Sequence, residues 1–258
     1  MQKKFIIAGY GFVGKAVFEA LIKENELQIV DPAYTSNTIA DYPDAEGVII
    51  CVGTPNDNEG GCDVSQIYNV IGQVPTHMPV LIKSTVIPDK LEKIIKDFPS
   101  HSITYGPEFL RAATANEDFA NQTYMVLGGS NTTVWKNLFY SSLKNLEPWG
   151  IITCTPTEAS MIKYTINCFL SLKVAFFNQI YDMCQANGAN YDNISNIIKN
   201  DPRIGTSHMQ VPGPDGERGF GGACFPKDTN SFVKYALDLN TPTDILNTAI
   251  QYNKTIRQ

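Results

Sequence analysis

The sequence predicts an α/β protein: a doubly wound parallel sheet over residues 1–155, followed by an all-α region over 156–258. Three observations predict it. Short β-branched runs alternate with amphipathic segments from Lys4 to about Cys154, a glycine-rich turn joins the first run to the first helix, and helical periodicity takes over after Pro156. Strands separated by helices pair in parallel because each crossover brings the chain back to the same end of the sheet, and helices then cover both faces.

The elements follow in order. KFIIAG is a strand, a helix runs to Glu24, and LQIVD and EGVIICVG are the next strands. A helix over Ser65 to Gln73 precedes the strands PVLIKST, SITYG and YMVLGG. From Thr157 to Asn187 one long helix is expected, with Thr157 as cap, Glu158 in the first turn, and Asn187-Gly188 as the stop. Shorter helices are expected at Asn190 to Lys199, Thr229 to Leu239, and Thr243 to the end. The Gly- and Pro-rich stretch from Asp201 to Pro226 is long for a connector and reads as a functional loop.

Composition narrows the function classes. With 258 residues and 43% hydrophobic content the chain can bury a core, and no run approaches the eighteen or so apolar residues of a membrane span. A soluble cytoplasmic protein is expected, without a membrane partner. Six cysteines without a CxxC pair and three scattered histidines give no metal site, and reduced thiols are expected. A net charge of −6 without a basic stripe argues against a nucleic-acid backbone as partner, although a local pocket can still be positive.

Gly9-Tyr10-Gly11-Phe12-Val13-Gly14 follows a strand and opens a helix. That is the context in which GxGxxG binds a dinucleotide: the first glycine permits the turn, the second admits a pyrophosphate, and the third packs helix on sheet. The phosphates then rest on helix N–H groups. Asp31 ends the next strand, where a carboxylate accepts from ribose hydroxyls and repels a 2′-phosphate, so NAD is expected and not NADP. The bland alternative is a turn with no ligand.

A lone cysteine is more often a small buried hydrophobe than a nucleophile. Cys224, however, stands in Gly219-Phe220-Gly221-Gly222-Ala223-Cys224-Phe225-Pro226-Lys227-Asp228. Its glycines let backbone amides approach an anion, and the helix after Pro226 favours a thiolate. This decapeptide resembles a motif of the UDP-glucose/GDP-mannose dehydrogenase family. Other blocks resemble the same family in order: Cys51 to Pro55, Lys83 to Pro88, Gly106 to Arg111, Glu158 through Lys163, Tyr164 and Asn167, and Asp201 to Gly205.

The resemblance implies a Rossmann-like domain, then a central all-α domain that dimerises. It implies two-stage oxidation of a nucleotide-sugar C6 alcohol to the uronate, with UDP-glucose as the best-fitting substrate and two NAD consumed. Cys224 would form a thiohemiacetal and then a thioester. Lys163 and Asn167, at i and i+4, would donate to the oxyanion, with Asp228 positioning the ammonium or a water. Glu108 and Thr85 would activate and hold water, and Thr54 resembles a cofactor-side threonine. Phe109, Leu110, Arg111, Gly221 and Gly222 would line the substrate site with Glu108, Lys163 and Asn167. Cofactor contacts would come from Gly9, Gly11, Phe12, Val13, Gly14, Asp31, Thr54 and Thr85. A homodimer is expected from the resemblance and from the apolar content of the long helix (Met161, Ile162, Phe169, Leu170, Phe177, Ile180), although those side chains also suit an internal core.

The sequence also departs from the family. Ala112 and Ala113 stand where the family usually has an acid and a glycine, and the loop from Pro212 to Arg218 is longer than usual. The resemblance implies a further α/β domain that the 258 residues do not contain. A non-catalytic NAD-binding or assembly module is therefore the second reading.

Overall fold

The structure, a computed structural model, describes residues 2–257. The chain divides into two compact units, Met1–Pro55 with Cys62–Lys163 and Asn56–Gly61 with Tyr164–Gln258. The division falls past the boundary expected at 155.

The first unit is built on seven strands: β1 (Lys3–Ala8), β2 (Asn25–Val30), β3 (Val48–Ile50), β4 (Val80–Ile82), β5 (Ile103–Tyr105), β6 (Met125–Gly129) and β7 (Ile151–Cys154). Its helices are α1 (Phe12–Leu21), α2 (Ser65–Ile71), α3 (Pro88–Asp97), α4 (Ala115–Ala120) and α5 (Thr132–Ser142). The sheet order is β2-β1-β3-β4-β5-β6-β7. β3 and β4 carry only fully buried residues, Val48, Ile49, Ile50, Val80, Leu81 and Ile82, as strands covered on both faces require. The core gathers Phe5, Ile7, Val17, Leu21, Leu81, Trp135 and Phe139.

The sheet is mostly parallel, as expected, with one antiparallel pair and one strand that the sequence reading lacked. β6 runs antiparallel to β5, with Thr104 opposite Gly129. Strand direction is set by the end of the sheet at which residues 106–124 return the chain, and the composition of YMVLGG does not encode it. β7 then pairs parallel to β6 at the edge. The strand inventory from sequence omitted it, because an edge strand with Ile152 half-exposed leaves little apolar signal.

The second unit is helical, with α7 (Tyr191–Ile198), α8 (Phe225–Asp238) and α9 (Asp244–Ile256) following α6 (Pro156–Asn187), whose first turns belong to the first unit. Here the expected helix starts need correction. Thr155, not Thr157, caps α6: its hydroxyl accepts from the Glu158 amide at 3.2 Å, and the Glu158 carboxylate accepts from the Thr155 amide at 2.8 Å. This is a capping box with Pro156 at the first helical position, which its missing N–H favours. Thr157 donates to Glu92 instead. α8 starts at Phe225 and not Thr229, because Pro226 also sits in the first turn. A smaller core joins Phe177, Cys184, Tyr191, Met209 and Val211. Among the described residues no helix is long and apolar enough to cross a membrane.

Candidate active site

β1 has β2 on one side and β3 on the other. The connections from β1 and β2 therefore leave in opposite directions, which opens a crevice at the carboxyl ends of β1 and β3. The Gly9–Gly14 turn leaves β1 at that crevice, and Thr54 lies just beyond β3. At Gly9 φ is +92°, and a Cβ there would stand 2.7 Å from the Val52 amide nitrogen; at Gly14 it would stand 2.1 Å from the Gly9 carbonyl oxygen. At Gly11 a Cβ would meet nothing within 4 Å. The fold thus requires the outer two glycines, while the middle one leaves open space over the turn, as close approach of a pyrophosphate demands.

Asp31 braces the same turn. Its Oδ2 accepts from the Tyr10 amide at 2.7 Å and its Oδ1 from the Ala33 amide at 2.9 Å. Each oxygen retains a lone pair for a ribose hydroxyl. Phe12 is partly exposed at the start of α1, and Val13 packs partly against the core. The Thr54 hydroxyl donates to the Thr85 carbonyl at 2.8 Å and so ties the ends of β3 and β4 together. These residues fit the adenosine and pyrophosphate portion of NAD.

Within the first unit, the loop after β5 carries a buried ion pair. The Glu108 Oε1 accepts from Lys163 Nζ at 3.0 Å, its Oε2 from the Leu110 amide at 2.6 Å, and its carbonyl from Lys163 Nζ at 2.6 Å. Lys163 is 2% and Glu108 5% exposed. Lys163 therefore has one N–H left to donate. Its ammonium also lies 5.7 Å from the Phe109 ring centroid. Arg111, expected to bind substrate, is held by Asp118: Nη2 and Nε reach the two carboxylate oxygens at 2.6 and 3.0 Å. That guanidinium holds the Asp118 carboxyl down to about 2.

Lys83, at the end of β4, is 1% exposed. It donates to the Pro107 carbonyl at 3.2 Å and lies over the Phe119 ring. Burial pushes its ammonium down to about 8, against upward pulls from Glu108 and Cys51. Between pH 8 and the ordinary 10.5 the folded chain holds fewer protons here than the unfolded chain. Charged Lys83 therefore subtracts from stability at neutral pH, by on the order of a few kcal/mol, and the cost fades as pH rises through that window.

In the second unit, Cys224 is the N-cap of α8, partly buried, with its carbonyl accepting from the Asp228 amide at 2.8 Å. The helix end favours negative charge at that position. Asp228 is fully buried; its Oδ2 accepts from Asn167 Nδ2 at 2.6 Å and its Oδ1 from Lys227. Asn167 keeps a second N–H. Three of the other thiols are held back from ionising by burial. Burial pushes Cys51 and Cys168 up to about 12 and Cys154 upward. α9 fixes the cysteine loop: Asn253 accepts from the Phe220 amide at 2.7 Å and donates to its carbonyl at 2.9 Å. Gly221 is covered by the Arg257 guanidinium, whereas Gly222, with φ +74°, faces open space.

The structure thus joins Glu108 with Lys163, Asn167 with Asp228, and Thr54 with Thr85. Lys163 and Asn167 are one turn apart on the continuous α6. Sequence reasoning missed Lys83, Lys227 and Asn253 as site residues. A charged residue ending an all-apolar strand, and an asparagine within a helix, were the available signals.

Comparison with known proteins decides the family. Residues 16–141 match the NAD binding domain, and residues 157–255 the central domain, of the UDP-glucose/GDP-mannose dehydrogenase family. The chain belongs to this family. It is 32% identical over 251 residues to a UDP-glucose 6-dehydrogenase of Rickettsia felis, covering 92% of this chain and 55% of that one. It is 35% identical over 232 residues to a UDP-glucose 6-dehydrogenase of Rickettsia bellii, covering 86% and 52%. The chain spans about half the length of the curated relatives it matches. Among solved structures, the fold resembles a UDP-glucose dehydrogenase of Pyrobaculum islandicum, with TM-score 0.83 at 23% identity over 99% of this chain and 68% of that one. It also resembles a 3-hydroxyisobutyrate dehydrogenase of Mycobacterium tuberculosis, with TM-score 0.75 at 16% identity over 99% and 94%.

Proposed function

We propose that this chain oxidises the C6 alcohol of a nucleotide sugar to the uronate, UDP-glucose to UDP-glucuronate, through a covalent intermediate on Cys224. The observation that carries the reading is Cys224 itself, a partly buried thiol at a helix N-terminus four residues from a buried Asp228 that Asn167 holds. Gly9, Gly11, Phe12, Val13, Gly14 and Asp31, with Thr54 and Thr85, would hold NAD, which would supply the hydride acceptor for each oxidation.

The chain's own residues do the rest. The alcohol proton passes to solvent water as the aldehyde forms, which leaves the Glu108 carboxylate free for the later hydrolysis. The Cys224 thiolate adds to the aldehyde carbon, and the unused N–H groups of Lys163 and Asn167 donate to the resulting oxyanion. A sulfur-bearing tetrahedral carbon releases hydride readily, leaving a thioester. Glu108 then takes a proton from water, with Thr85 holding that water; hydroxide adds to the carbonyl and the Cys224 thiolate leaves. Phe109, Leu110 and Gly222 shape the sugar site. Arg111 serves it only by leaving Asp118. A cytoplasmic setting supplies the nucleotide sugar and NAD and keeps Cys224 reduced.

The test is NADH formation with UDP-glucose and with GDP-mannose. Two NADH per sugar consumed is the expected result, and absence of NADH with every nucleotide sugar rejects the reading. NAD binding without turnover would favour the assembly module, for which Ala112 and Ala113, in a short 3-10 turn with no acid, are the supporting observation.

The homodimer is part of the same proposal. Phe169, Phe176 and Met183, seven apart on α6, are each more than half exposed and form an apolar stripe. Light scattering should give a dimer that Phe176→Glu converts to monomer. A wild-type monomer would remove this part of the proposal.

A further inference from the structure

Two buried lysines grip adjacent carbonyls of one loop. Lys163 holds the Glu108 carbonyl and carboxylate, and Lys83 holds the Pro107 carbonyl one residue earlier. The mechanism above uses Lys163 and leaves Lys83 without a task. The groups facing Lys83 are Cys51 after β3, Glu108 after β5, the Phe119 ring on α4 and the Lys163 ammonium on α6. Its hydrogen-bond partner is a carbonyl and not a carboxylate, which returns little for burying a full charge.

We propose that Lys83 is a positioning residue: by donating to the Pro107 carbonyl and setting positive charge near Glu108, it fixes the loop whose carboxylate activates water, without itself touching substrate. The proposal rests on the dehydrogenase reading for the role of Glu108. The downward push on Lys83 supports it, because a charge that costs the fold stability is not explained by the fold. An ordinary structural lysine would meet a carboxylate; this one is buried with a carbonyl as its hydrogen-bond partner.

The two accounts differ in sign. Lys83→Met keeps the length of the side chain and removes both donor and charge. If Lys83 is a positioning residue, the variant melts above wild type. Hydrogen exchange across residues 106–111 rises roughly 5- to 30-fold, the equivalent of losing 1–2 kcal/mol of local stability. Turnover falls by about 10- to 100-fold, a share of the gain a positioned base supplies, with KM for NAD and sugar unchanged. Thioester then accumulates on Cys224 and is seen by intact mass. A variant that melts lower or fails to fold, exchanges at the wild-type rate over 106–111, or turns over normally in an otherwise active enzyme overturns the proposal. If the wild type forms no NADH with any nucleotide sugar, the activity reading falls by itself. Exchange and melting of Lys83→Met still decide whether Lys83 braces the loop.

Discussion

Cys224→Ala is expected to abolish uronate formation, lowering the rate of the second oxidation on the order of 10³-fold or more, while leaving the fold intact. Without sulfur the aldehyde has no covalent route to a hydride-donating tetrahedral carbon. At most one NADH per sugar then appears, and the aldehyde is the product to detect. Stability should move by no more than about 0.5–1 kcal/mol, because the side chain is only partly buried at a helix terminus and is not among the core residues. Alkylation offers an independent check. At neutral pH iodoacetamide should modify Cys224 in the native protein and spare Cys51 and Cys168, whose thiols burial holds near 12. A Cys224→Ala enzyme that still makes two NADH per sugar, or native labelling spread over the buried thiols, would refute the assignment.

The succession of β1 to β6 along the chain and the cofactor turn were legible because they depend on local chemistry. Gly9 and Gly14 are demanded by contacts with Val52 and with each other, and a glycine at such a site leaves its mark in the sequence whatever surrounds it. Asp31 was legible as a strand-end acid, although its bonds to the Tyr10 and Ala33 amides, which make it a brace as well as a ribose acceptor, were not. The direction of β6 and the edge strand β7 escaped because pairing partners lie far along the chain. Burial was the other gap. Lys83 reads as a polar residue closing a strand, and only the fold shows it sealed beneath the Glu108 loop. Arg111 reads as a substrate clamp, and only the fold shows it committed to Asp118.

Glu108→Gln should stall the second half-reaction and also weaken the fold, and the pairing of these effects separates it from Lys83→Met. The carboxylate has two acceptor oxygens, one taken by the Leu110 amide and one by the Lys163 ammonium. An amide has one acceptor, so its NH2 group must face one of those two donors. Lys163 and Lys83 are also left as buried ammonium groups without their counter-charge. Breaking a buried pair from one side costs about 3–5 kcal/mol, which at this chain length lowers Tm by on the order of 10 °C. Turnover should fall by about 10²- to 10⁴-fold, with a burst of NADH and a thioester retained on Cys224. The stability loss carries its own pH signature. Glu108 pulls the Lys83 ammonium upward, so in its absence Lys83 gives up its proton more readily, and a neutral lysine needs no counter-charge. The melting deficit against wild type should therefore shrink as pH rises toward about 8 and shrink no further above it, where wild-type Lys83 has lost its proton as well. Combining Lys83→Met with Glu108→Gln should recover part of the lost melting temperature and none of the lost hydrolysis. If the Glu108→Gln protein melted and turned over like wild type across that pH range, neither the ion pair nor its role in water activation could stand.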